Sequence, residues 1–300
     1  MKKLLKLFIS VILAIVIIFL IKETGEKFYS GLLSVPIFVF YKDKVGELYS
    51  EIKVFFGQDD WKKKQKELER KGLLNEDTRV RISFAYLFRI KIDDKYFLVP
   101  NTRTGKYQPV GGAYKFSEIE ANYLNENILF EYDEYIVVDE ITKKDYRLFI
   151  KNKNLKEFIR RFDKTPNREN ISDLSREFKE EIFSSGILDE QGFGNLSYKY
   201  CGRHMTSIVE TVFHPFEILL ADIVEVRLTP YQESLFKRLI EQDSDKYKFA
   251  TAKEIKAEGI KVGTQDLSAS IANHTFKILS EKSDKLKGRK KYKSVITVSL

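Results

Sequence analysis

An α+β fold behind an N-terminal apolar anchor is what the sequence predicts, and three stretches carry that prediction. Leu7–Ile21 runs without a charge after a basic start, Met1-Lys-Lys-Leu-Leu-Lys. From Arg79 the apolar residues alternate with their neighbours, the period of a strand. Ile171–Leu188 spaces its apolar residues as a helix does, so strand and helix signals follow one another along the chain.

With Leu4 and Leu5 the first run reaches the length that spans a bilayer. Phe19-Leu-Ile-Lys-Glu-Thr-Gly-Glu offers no small-x-small cleavage site, so a retained transmembrane helix is expected over 4–21. A second apolar stretch, Phe28–Tyr41, contains Pro36 and would reach ~21 Å as a helix. A short second span, a re-entrant or interfacial segment and a piece of the soluble core are all open readings. Aromatic residues at both ends favour the first two. Lys2, Lys3 and Lys6 hold the N-terminus in the cytoplasm. Two membrane segments then return the remainder of the chain to that side, whereas a single span exports it. Residues 1–45 are accordingly expected to be the anchor and 46–78 a helical connector. In the connector Asp43–Phe56 and Gln58–Lys71 read as amphipathic helices, the second strongly basic and closed by Gly72. It either rests on anionic headgroups or is a solvated link.

Composition bounds the partners. Net charge is +8, which suits a phosphate-bearing ligand or an anionic membrane surface, or a lysine-rich surface with no partner. No arginine stripe or zinc-finger spacing argues for DNA. One cysteine, Cys201, excludes an internal disulfide and suits a reducing compartment; with three histidines it gives no zinc signature.

Val80, Ile82, Phe84, Tyr86, Phe88, Ile90 and Ile92 predict one long strand, turned by Asp93-Asp94 into Tyr96–Val99 as a hairpin. Asn101–Lys106 is a turn before a strand carrying Tyr107 to Val110. Short strands are expected at Ile128–Tyr132, Tyr135–Val138 and Tyr146–Ile150, then a helix at Leu155–Phe162. Beyond the acidic helix come strands at Leu196–Tyr200, Ile208–Phe213 and Ile218–Val226. Pro230 opens a further helix, Thr251 and Ser268–Leu279 mark two more, and Tyr292–Leu300 suits an edge strand.

The chemistry sits on the helix expected within Ile171–Leu188. Glu177, Glu180 and Glu181 fall at i, i+3 and i+4, so they share one face. Ser172 or Asp173 is placed to cap it. Leu174, Phe178, Ile182 and Phe183 form the apolar stripe, and Gly186 stops it. Clustered carboxylates suit a hard divalent ion, Mg²⁺ or Mn²⁺; a solvated acidic face is the alternative. Arg103, Lys106 and Tyr107, in the turn before the glycine strand, are candidates to hold a phosphate and a base. Arg203 and His204, after Gly202, are a second pair. His214, before Pro215, reads as structural.

Upstream, Gln108-Pro-Val-Gly-Gly-Ala-Tyr ends an extended run, and Glu118 follows Gly112 with five residues between. Gly-x5-Glu, then Arg176-Glu-Phe-Lys-Glu-Glu, resembles the two halves of the Nudix box. Two departures stand out: Ile119–Ser175 separates the halves, and Phe183 occupies the place of the glycine expected after the glutamate pair. An interrupted box of this kind resembles the SMODS-associated NUDIX family, from about Arg79 to the C-terminus.

That resemblance implies a Nudix-like α/β/α sandwich with a mixed sheet and a large insertion over 79–300. It implies that Gly111 and Gly112 shape the backbone under a ligand, that Glu177, Glu180 and Glu181 hold the metal and would be catalytic in a hydrolase, that Arg176 orients them and that Glu118 supports them. It further implies an effector of cyclic-oligonucleotide antiphage signalling (CBASS). The domain would sense a cyclic di- or oligonucleotide and homo-oligomerise, and the membrane segments would disrupt the bacterial inner membrane from which it projects into the cytoplasm. A membrane-bound Nudix hydrolase of nucleoside diphosphate derivatives is the alternative, and a ligand-free structural membrane protein a third reading.

Overall fold

β1 (Arg79–Arg89) is the strand on which the domain is built. Its even-numbered residues Val80, Ile82, Phe84, Tyr86 and Phe88 are fully buried on one face, as strict alternation demands. It pairs in parallel with β9 (Glu217–Val226) along nearly its whole length. On its other side two short strands share it: β7 (Arg147–Lys151) covers Arg79–Ser83, and β5 (Gly111–Ala113) covers Ala85–Leu87. The junction closes on Phe84, whose amide donates to Tyr146 and whose carbonyl accepts from the Tyr114 amide. With β8 (Leu196–Met205), β11 (Val295–Val298) and β6 (Glu131–Tyr132) this makes a seven-stranded mixed sheet, ordered β11-β8-β9-β1-β7-β6 with β5 beside β7 on β1.

The computed structural model describes residues 60–140, 142–210, 216–260, 268–280, 286–288 and 294–300, and Asp59–Leu300 forms one compact unit. The segments expected to enter the membrane, 4–21 and 28–41, lie outside the described residues, as does His214. Among the described residues no helix is long and apolar enough to cross a membrane.

Apolar layers cover both faces of the sheet. On the even face of β1, α3 (Leu155–Lys164) brings Phe162 edge-on to Phe84 at 4.7 Å, and the acidic segment brings Phe178 to Phe88 at 5.6 Å. A smaller core on the other face joins Leu87 and Ile223 to Ile255 of α6 (Ala252–Lys256) and to Ile278 and Leu279 at the end of a 3₁₀ turn (Asn273–Ile278). α1 (Asp60–Arg70) belongs to this unit: Trp61 and Leu68 are buried in the main core, and Gln65 bonds Asn152 at 2.7 Å. The basic helix expected to be a link is thus packed along one side.

Several elements differ from expectation. The long hairpin divides at Ile90: β1 stays in the large sheet, while β2 (Lys91–Ile92) and β3 (Lys95–Pro100) join β4 (Tyr107–Gln108) and β10 (Lys248–Thr251) in a four-stranded sheet. Glu118–Asn127, between the two halves of the motif, is a helix, α2, capped by the Ser117 hydroxyl accepting from the Glu120 amide. Tyr135–Val138 forms no strand, and Val137 is 80% exposed. Ile208–Glu210 contributes only a bridge from Val209 to Glu217. The expected helices at Leu155 and Pro230 are present, the second as α5 (Pro230–Ile240) with a capping box between Thr229 and Gln232.

Candidate functional site

Two glycines let a helix press its carboxylates onto a strand. Gly111 has φ +143, and a Cβ there would lie 2.2 Å from the Tyr86 carbonyl oxygen, so only glycine permits β5 to lie this close to β1. Its amide donates to Glu181 Oε2 at 2.8 Å. A Cβ on Gly112 would lie 1.9 Å from Glu177 Oε1, so the missing side chain is the seat of that carboxylate.

The acidic segment is shorter than the sequence implied. Leu174 and Ile171 are buried but precede the helix, and Ser175, not Ser172 or Asp173, is the N-cap, without a side-chain bond. α4 is the single turn Arg176–Phe178, and Lys179–Phe183 continues it as a π-type turn. There the Ser184 amide donates to Lys179 at 2.9 Å and the Ile187 amide to Ile182 at 3.0 Å, both i to i+5. Gly186, at φ +71, ends the segment. Glu177 and Glu181 turn in toward β5, while Glu180 is half exposed.

Arg176 binds the cluster together. It donates to Glu169 at 2.7 and 3.1 Å, to Glu177 at 2.7 Å, to the Ala113 carbonyl at 3.0 Å and to Glu180 at 3.4 Å. Burial raises Glu177 above the usual carboxylate range, against the pull of Arg176. Burial and the adjacent Glu177 push Glu181 up to about 8, against the Gly111 amide. Burial thus favours the neutral form of both carboxylates.

A hard divalent cation fits this donor set chemically: three carboxylates fall within one turn, and two of them, Glu177 and Glu181, are held above their normal pKa chiefly by burial. Among the described residues no three acidic, histidine or cysteine side chains already converge on one point. Bringing Glu180 to join Glu177 and Glu181 requires Arg176 to release it, and that is the longest of its contacts.

Glu169 is the supporting carboxylate, and sequence reasoning missed it. Glu118, assigned that role by its spacing from Gly112, is 70% exposed on its side chain and pairs with Lys144. The insertion leaves and re-enters at one place: the Glu169 amide donates to the Lys115 carbonyl and the Lys115 amide to the Glu169 carboxylate, both at 2.9 Å, and the Ser117 amide donates to the Asn167 carbonyl at 2.9 Å. Glu169 is thereby delivered beside Gly112 and Arg176, a closure that no local pattern encodes. Replacing Glu169 by Gln is expected to destabilise the domain by about 1.5–3 kcal/mol, since it weakens a charge-assisted pair whose partner stays half-buried. Urea denaturation of the two proteins measures it.

The other candidates are placed as follows. Arg103 sits in the turn closed by Asn101, whose side-chain oxygen accepts from the Arg103 and Thr104 amides; Lys106 ends that turn. Tyr107 starts β4 and donates its hydroxyl to the Asp245 carbonyl at 3.2 Å. Arg203 is occupied: it donates to both oxygens of the fully buried Asp222 at 2.8 and 2.9 Å and to Asp163 at 2.8 Å. Asp222 also accepts from the Tyr114 and Tyr200 hydroxyls. This is a core ion pair, so Arg203 has no fork left for a ligand. His204 stands near the Lys277 carbonyl, at 3.2 Å.

A glycine strand end seated under an Arg-Glu-Phe-Lys-Glu-Glu turn, at the split edge of a central strand in a mixed sheet, defines a Nudix-type site on an α+β domain. The profile of the SMODS-associated NUDIX domain matches residues 79–279, two thirds of the chain, and the chain belongs to that family. Neither a curated protein nor a solved structure matches it.

Proposed function

We propose that this domain binds a cyclic di- or oligonucleotide as the signal of an antiphage CBASS system, and that N-terminal membrane segments carry the response. The family's association with SMODS supports the link to that signalling. The observation that carries binding over turnover is Arg176. Its guanidinium already bridges Glu177 and Glu180, holding the acidic turn in a fixed, partly neutralised form against Gly112. The charge-free run Leu7–Ile21 supports the membrane half, with the domain on the cytoplasmic side of a bacterial inner membrane. Binding drives the response only if one arrangement of the protein, such as a homo-oligomer, takes the nucleotide more tightly than another.

Reconstituted into dye-filled vesicles, the full chain is expected to release dye when a cyclic nucleotide that it binds is added. Vesicles that stay sealed with nucleotide bound would remove the membrane half of this proposal.

One observation favours a second reading, a Nudix hydrolase of nucleoside diphosphate derivatives. The Gly111 amide fixes the Glu181 carboxylate against the glycine strand at 2.8 Å, and burial raises its pKa, the direction that makes a carboxylate more basic. In that reading Glu177, Glu180 and Glu181 would hold Mg²⁺ or Mn²⁺, which would neutralise the diphosphate and polarise water. A carboxylate oxygen of this set not bound to the cation would take the proton, the Gly111 amide would fix Glu181, and Arg176 would orient Glu177. Cation-dependent release of a nucleoside monophosphate, lost in Glu181→Gln, would establish it.

A further inference from the structure

Tyr86 carries a buried donor that nothing satisfies, on the strand against which the acidic turn is seated. The residue is fully buried, and among the described residues its hydroxyl has no hydrogen-bond partner. An unmade buried donor is costly, and its persistence calls for a reason.

The register aims this side chain at the acidic turn. Tyr86 stands directly opposite Gly112 in the β1–β5 pair, and opposed residues of an antiparallel pair project from the same face. On that face Gly112 has no side chain, and the Glu177 carboxylate occupies the space its Cβ would need. The turn is pinned on either side of Glu177. Arg176 donates to the Ala113 carbonyl at 3.0 Å, and Phe178 packs edge-on to Phe88, two residues along β1, at 5.6 Å. Residues 176–178 therefore pass across the Tyr86 side chain. Its ring is held by Tyr114 and Phe88, with centroids 5.1 and 5.8 Å away. Glu177 shows the complementary gap: Oε1 accepts from Arg176 at 2.7 Å, and among the described residues Oε2 accepts no hydrogen bond.

We propose that Tyr86 is a positioning residue of the divalent-cation site, its hydroxyl donating to Glu177 once the carboxylates gather on an ion. A carboxylate that gives one oxygen to a cation keeps the other for an outer hydrogen bond, and such bonds orient the ligand and strengthen metal binding. Buried, the phenol keeps its proton and remains a donor. The cost of its unmade bond in the ion-free chain is then relieved when the ion arrives. This inference rests on the cation-holding role given to Glu177, Glu180 and Glu181 in the hydrolase reading.

Mn²⁺ alone is the probe, titrated into the full chain in detergent and followed by the electron paramagnetic resonance of the free ion, for wild type, Tyr86→Phe and Tyr146→Phe. Tyr146 is the control. Its hydroxyl is also buried and unpartnered among the described residues, but its ring packs on Phe158 and Phe162 of α3. Wild type and Tyr146→Phe are expected to bind alike, and Tyr86→Phe about tenfold more weakly or worse. Thermal melting in chelator keeps a structural role apart: there Tyr86→Phe should melt no lower than wild type, because the hydroxyl it loses has no partner. An equal loss of affinity in Tyr146→Phe would overturn the assignment. So would a lower melting point of Tyr86→Phe in chelator, the sign of a hydroxyl that only props the turn. A wild type that takes up no Mn²⁺ overturns it together with the cation-holding role, while Mn²⁺ bound equally by Tyr86→Phe sinks this inference alone.

Discussion

Asp222→Ala is expected to cost about 3–5 kcal/mol, a large part of the roughly 5–15 kcal/mol that holds a domain folded. Asp222 is fully buried and accepts from Arg203 twice, from Tyr114 and from Tyr200. Its removal strands a guanidinium whose remaining carboxylate, Asp163, lies at the exposed end of the pair. The two tyrosine hydroxyls lose their acceptor as well. A pairwise replacement, Asp222→Leu with Arg203→Met, should recover part of that loss, because buried ion pairs offset their own desolvation poorly. Urea denaturation followed by circular dichroism measures both; a single variant within 1 kcal/mol of wild type, on the order of an ordinary surface change, would contradict this placement.

Glu181→Gln is expected to act in the opposite direction, and only at higher pH. In the folded chain Glu181 is pushed up to about 8, against 4.5 for a free side chain. Between those values the folded state holds a proton that the unfolded state has released, so stability falls as pH rises from about 4.5 to 8. The neutral amide mimics the protonated acid and can keep the bond from the Gly111 amide through its oxygen. With chelator present, the variant should match wild type near pH 4.5 and exceed it at pH 8.5 by about 1–3 kcal/mol, discounted from the full shift because Glu181 is not wholly enclosed. A variant less stable than wild type at pH 8.5 would mean that the carboxylate is already neutralised.

The parts of this fold that depend on short-range pattern were legible in the sequence. β1 followed from its alternation, α5 from Pro230 in its first turn, and the seat of the acidic turn from Gly111-Gly112 together with Arg176–Glu181. What escaped depends on closure over long separations. The supporting carboxylate is Glu169 because the Lys115–Glu169 exchange stitches the insertion shut, and Glu118, at the expected spacing, points to solvent from the first turn of a helix and pairs with Lys144. Arg203 looked like a ligand contact beside Gly202, but its partner Asp222 is on a neighbouring strand whose register no local signal reveals. Tyr86 read as an apolar position; its hydroxyl is buried without a hydrogen-bond partner among the described residues, close to the Glu177 backbone, and burial raises its pKa. The π-type turn was hidden too, since Lys179–Phe183 has the composition of an ordinary helix.

Calorimetric titration of the full chain in detergent with a panel of cyclic di- and trinucleotides, alongside Gly112→Ala, tests the central claim most directly. An alanine Cβ at 1.9 Å from Glu177 Oε1 must unseat that carboxylate while leaving the rest of β5 in place. Wild type should bind one of these nucleotides, release it unchanged on a column, and lose at least about tenfold in affinity in the variant. No binding across the panel, or equal binding by Gly112→Ala, would contradict a nucleotide site at the glycine strand and its acidic turn.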